Sequence, residues 1–101
     1  MQHEIAAASP SGMFTRAAWE RELESANGVM PRWARSAAER DRRFLEWVHA
    51  ESVGLCAHLG RLQRPGVSAR LSRPLDTLLR ALAEDAAWAR REIAGQLREA
   101  A

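Results

Sequence analysis

The sequence predicts an all-α fold: an antiparallel helical hairpin of two long helices, with a short N-terminal helix packed against one end as a small bundle. Three observations predict it. Ala and Leu are abundant, Tyr is absent, and Val and Ile are few; Ala and straight-chain residues favour helix, whereas β-branched and aromatic ones favour strands. Apolar residues recur at helical spacing along two long stretches. Proline, Asn-Gly and Pro-Gly stand where those stretches begin and end. With 101 residues the chain has room for one small domain, and 47% of it is AVILMFWYC against 28% charged, enough apolar surface to offset the entropy of ordering it.

Residues 1–13 (MQHEIAAASPSGM) are small and polar, with Pro10 and Gly12. They are expected to form a flexible tail ahead of a single helical-bundle domain over 14–101. The first helix is expected over 15–26, with Thr15 as N-cap and Asn27-Gly28 as its stop. Phe14, Ala18, Trp19, Leu23 and Ala26 share its apolar face. At about three turns it needs tertiary packing to persist.

The second helix is expected over 31–63, with Pro31 in the first position, where a missing N–H is harmless. Trp33, Ala37, Phe44, Val48, Leu55, Leu59 and Leu62 form its stripe at about 100° per residue. Asp41 falls within that stripe and Glu51 at its edge, and Arg90 on the flank of the third helix is a candidate partner for them. Gly54 is a weak point where the helix could kink.

The connection over 64–73 is read as a loop opening on the Pro65-Gly66 turn. The third helix is expected over 74–100, again with proline first, at Pro74. Its stripe comprises Leu75, Leu78, Leu79, Leu82, Ala86, Ala89, Ile93, Gln96 and Leu97. Two long helices and one short one leave a thin core, and a homodimer completing a four-helix core is the expected remedy.

Charge and cysteine content narrow the function. All fifteen basic residues are Arg, which a GC-rich, bacterial coding sequence explains, with selection for bidentate anion contacts as the alternative; the net charge is only +2, a mixed-charge surface. Cys56 is the one cysteine, so no intramolecular disulfide can form and a reducing, cytoplasmic setting is expected. No run approaches the roughly 18 apolar residues of a membrane span. Residues 5–8 are too short for the apolar core of a cleaved export signal.

No constellation for catalysis stands out. No triad, phosphate-binding glycine loop or paired-carboxylate site is present, and an enzyme is not expected. Glu46-x-x-His49 has the spacing of a di-metal bundle ligand pair, but both residues project to the polar side of their helix and no second copy exists. No metal or cofactor is expected. Trp47 and Glu51 resemble the W-x-x-x-E motif of secreted bacterial effectors that act on host GTPases, a match of two residues on which no assignment is made.

What remains is surface. Trp88 lies well off the stripe of the third helix and Trp47 at the margin of the second, and tryptophan and arginine dominate binding hot spots. The sequence therefore points to a non-enzymatic protein–protein interaction module, of adaptor, chaperone or inhibitor type, with Trp47, Trp88, Arg43 and Arg91 as anchors for another protein. The alternative is a nucleic-acid-associated protein. It would use Arg61, Arg64, Arg70 and Arg73, a loop cluster with no acidic residue between Ser52 and Leu75, to hold phosphates.

Overall fold

A computed structural model describes residues 5–27, 36–62 and 69–100. Three helices follow in order: α1 (Arg16–Asn27), α2 (Ala37–Gly60) and α3 (Ala69–Ala100). The all-α class is as the sequence predicts. Helices α2 and α3 run antiparallel. Cys56 of α2 lies level with Leu79 of α3, its Sγ 3.9 Å from the Leu79 carbonyl oxygen, while Ala37 and Ala38 share a cleft with Arg98 and Glu99.

The start of α1 follows its local chemistry. The Thr15 carbonyl accepts the first helical bond, from the Trp19 N–H at 3.1 Å, and the Thr15 hydroxyl accepts the Ala18 N–H at 3.2 Å, which settles one of the donors that a helix start leaves over. Helix α2 begins later than the 31–63 reading places it. Ser36 is extended, at φ −93° and ψ 125°, and its side chain accepts the Glu39 N–H, so Ser36 is the N-cap of α2. Pro31 lies outside the described residues. Helix α2 then runs unbroken through Gly54, without the break that a glycine invites.

Helix α3 begins earlier than expected. It starts at Ala69 and carries Pro74 inside it. Pro74 supplies no N–H to the Arg70 carbonyl, but this stretch is exposed, so solvent can take that oxygen. The consequence bears on function: Arg70 and Arg73 are helical residues rather than loop residues, and Arg64 lies outside the described residues.

The core forms where all three helices meet. Phe14, Trp19, Phe44, Leu45, Val48, Leu82 and Ala89 are buried. Phe44 sits at its centre, with the Trp19 ring at 5.8 Å, the Trp47 ring stacked at 6.2 Å, and the Arg16 guanidinium 5.0 Å above its own ring. Arg16 also bonds Asp41 at 2.6 Å. The partner of that stripe carboxylate therefore comes from α1 rather than from Arg90, which is exposed. Glu51 is exposed as well.

The largest departure is at the N-terminus. Residues 5–13, expected as part of a flexible tail, lie folded back on the bundle. A turn closes between the Ser9 carbonyl and the Gly12 N–H at 2.8 Å, with Gly12 at φ +79°, a backbone region that glycine enters without steric cost. Ser9 N–H donates to the Phe14 carbonyl at 2.9 Å and Arg16 N–H to that of Ala7 at 2.8 Å. Pro10 and Gly12 are turn residues in a built turn.

Candidate functional site

The N-terminal turn lies across α2 and α3 together. On α2, the Phe14 ring meets Trp47 edge-on at 5.7 Å. On α3, Ser11 reaches Asp85, whose side chain is fully buried. The Ser11 N–H donates to Oδ1 at 3.0 Å and the Ser11 hydroxyl to Oδ2 at 2.5 Å. A buried carboxylate is strongly unfavourable unless hydrogen-bonded, and here one turn satisfies both oxygens. The residue was not singled out in the sequence. Its signal was present: Asp85 stands three residues after Leu82 and four before Ala89, on the buried stripe, where a carboxylate demands a donor.

Helical spacing then tells what lies beyond the turn. Eleven residues are close to three full turns, so Leu55 shares the azimuth of Phe44 to within about 20°. On α3, Leu78 and Pro74 share that of Asp85 within about 20° by the same count. The face that α1 and the N-terminal turn cover at Phe44 and Asp85 thus continues toward the far end of the hairpin. There it is open. Phe44 is fully buried, but Leu55 is 38% exposed and Leu62, in the turn that closes α2, is 47% exposed; Leu78 is half-buried and Pro74 exposed. His58, Arg61 and Arg70 stand exposed around this open half. Val53, 48% exposed, projects nearly opposite to Leu55 and is a lone apolar residue of the ordinary surface kind.

The anchors read from the sequence lie toward the end of the hairpin away from Leu55. Trp47 and Trp88 are half-buried and pack against the core cluster. The Trp47 contacts to Phe14 and Phe44 show that much of its surface is used within the chain. Its indole Nε1 is buried and has no hydrogen-bond partner among the described residues, as is the Ser52 hydroxyl. Arg43 is exposed and contacts Glu46 at 3.5 Å. Arg91 lies toward the same end of the hairpin as Arg43, in an open cleft of about 690 Å³ between the start of α2 and the end of α3 that Asp41 and Arg42 also line. That cleft has mixed charge, with Glu39, Asp41, Glu92 and Glu99 beside Arg42, Arg91 and Arg98, and Arg42 is bonded to Glu39 at 3.2 Å. Sequence reasoning weighed the tryptophans and passed over Leu55, because a leucine on a stripe reads as core until the length of the covering element is known.

Among the described residues, no three His, Cys, Asp or Glu side chains stand together where a metal ion could be held. No described helix is long and apolar enough to cross a membrane. Cys56 is a half-buried free thiol. No known family model matches the chain, and no match to it was found among curated proteins or solved structures.

Proposed function

We propose that the protein is a non-enzymatic binding module that docks another protein on the open half of the α2–α3 face. One observation carries this reading: a single apolar stripe is fully buried at Phe44 and exposed at Leu55 and Leu62, because the covering segment ends partway along the hairpin. Apolar surface continuous with a packed core is the kind of surface that partners bury. Arg61 and Arg70 stand exposed beside it. Adaptor, chaperone and inhibitor roles all use such a face. The reducing cytoplasm is the setting we propose, on the strength of the free thiol of Cys56.

A second reading has support of its own. The molecule measures 18 Å along its shortest axis, about the thickness of two helical layers, and a second copy laid on the open face would give a thicker core. The nucleic-acid reading keeps Arg61, Arg70 and Arg73 but gives Leu55 no task.

A photoreactive benzoylphenylalanine placed at position 55, compared with one at position 53, tests the docking reading in cells that express the chain. Adducts with another polypeptide are expected from position 55 and not from 53, since both sites are exposed but face opposite ways. Equal adduct formation from both sites, or none from 55, would contradict it.

A further inference from the structure

We infer that residues 5–15 form a latched strap, and that the hydrogen-bond pair from Ser11 to the buried Asp85 is its latch. Unlatched, the strap leaves the hairpin as one unit while α2 and α3 stay folded, and it bares the seat formed by Asp85 and Trp47. The way the strap is held carries this inference. Its backbone bonds stay within itself and the first residue of α1: Ser9 N–H to the Phe14 carbonyl, Gly12 N–H to that of Ser9, and Arg16 N–H to that of Ala7. Its serine side chains add to the same loop, with Ser11 Oγ accepting the Met13 N–H and Ser9 Oγ that of Phe14. Among the described residues, only Ser11 sends hydrogen bonds from the strap to the hairpin, and both end on Asp85. The edge-on contact of Phe14 with Trp47 completes the seating.

Opposing effects make this a latch rather than a permanent closure. Closed, the fully buried Asp85 has a donor on each oxygen. Open, water replaces those donors, so the net loss is that of exchanging protein partners for solvent ones. Pro10, Ser11, Gly12 and Met13 are exposed even when the strap is closed, so closure buries little of them. The closed seat is also not fully paired: Trp47 keeps a buried Nε1 with no acceptor among the described residues, which offsets part of what the Asp85 contact contributes. Once released, a loop of this size has no stable structure of its own, since an isolated hairpin is marginal in water. Its internal bonds are therefore lost together when Ser11 lets go, and the opening is cooperative. Opening joins the Asp85–Trp47 seat to the exposed half of the same face. The inference concerns the isolated chain and is independent of what docks at Leu55.

The test is amide hydrogen exchange of the full chain at a series of urea concentrations below the unfolding transition. The amides of Ser9, Ser11, Gly12 and Arg16 are expected to exchange through one shared opening. That opening should be easier, and less steeply dependent on urea, than the one that releases Leu45 and Val48 in α2 or Leu82 and Ala89 in α3, because it exposes less surface. Ser11→Ala should speed exchange of the remaining strap amides about tenfold or more, the loss of one donor to a buried carboxylate. Met13→Ala, at an exposed position of the same strap, should change it by no more than about twofold, as ordinary surface substitutions do. Complete loss of strap protection in Ser11→Ala, with the helices still protected, is the same result carried further. Strap and helix amides that share one rate and one urea slope overturn the inference, and so do strap amides that open independently of one another. Equal effects of the two substitutions would overturn Ser11 as the latch, and unfolding of the whole chain by Ser11→Ala would overturn the strap as a separate unit. No docked partner enters this measurement, so crosslinking from position 55 succeeds or fails independently of it.

Discussion

Asp85 shows how one residue sets the position of a whole segment. Its carboxylate lies between Leu82 and Ala89 on the buried face of α3, where water cannot reach it. The Ser11 N–H and hydroxyl replace that water, from a turn that Pro10 and Gly12 shape. Ser11→Ala keeps the N–H contact but strands Oδ2 without a donor. An unsatisfied buried acceptor costs about 1–3 kcal/mol, so urea denaturation of Ser11→Ala should show a loss in that range; a loss below roughly 0.5 kcal/mol, the scale of an ordinary surface change, would contradict this role. The sequence carried half of this contact openly, since a carboxylate on an apolar stripe is legible. The other half was not, because the donor lies 74 residues upstream and periodicity reports only along one helix. Asp41 followed the same pattern. Its place on the stripe was legible, but its partner, Arg16, came from the short helix rather than from the long neighbour.

Among the elements, the interiors of the helices were legible and their ends less so. Helix α1 agrees with its expected range to within a residue, because Thr15 and Asn27 are strong local signals. Pro74 misled: it was read as a first position, whereas α3 carries it inside. Ser36 was the signal for the start of α2, because its hydroxyl accepts the Glu39 N–H, one of the donors that a helix start leaves over. Pro74 is tolerated inside α3 near its exposed beginning. Gly54 is the mid-helix weak point that α2 absorbs. A Cβ built there meets nothing within 4 Å, so Gly54→Ala should raise stability by about 1 kcal/mol and the melting temperature by several degrees. No gain in a thermal melt would mean that α2 is not a continuous helix at that point.

For the whole molecule, the lengths of the elements decide what is left exposed. The hairpin presents one long face, and residues 5–27 are too few to cover it. They close the end that carries Phe44, Trp47 and Asp85, and leave the end that carries Leu55. Counting helices in the sequence led to the expectation of a thin core with Trp47 and Trp88 as leftover surface; in the structure both tryptophans pack partly buried against the core, and Leu55 and Leu62 are exposed. The central claim is therefore that the N-terminal turn is part of the fold and fills the near half of this face. Amide hydrogen exchange on the intact chain tests it most directly. The amides of Ser9, Ser11, Gly12 and Arg16 all donate hydrogen bonds, and they should exchange at least about a hundredfold more slowly than in an unstructured chain, as amides that open only through a cooperative unit do. Exchange at the unstructured rate through residues 5–13 would show a free tail, leave Phe44, Trp47 and Asp85 open along with Leu55, and contradict the account.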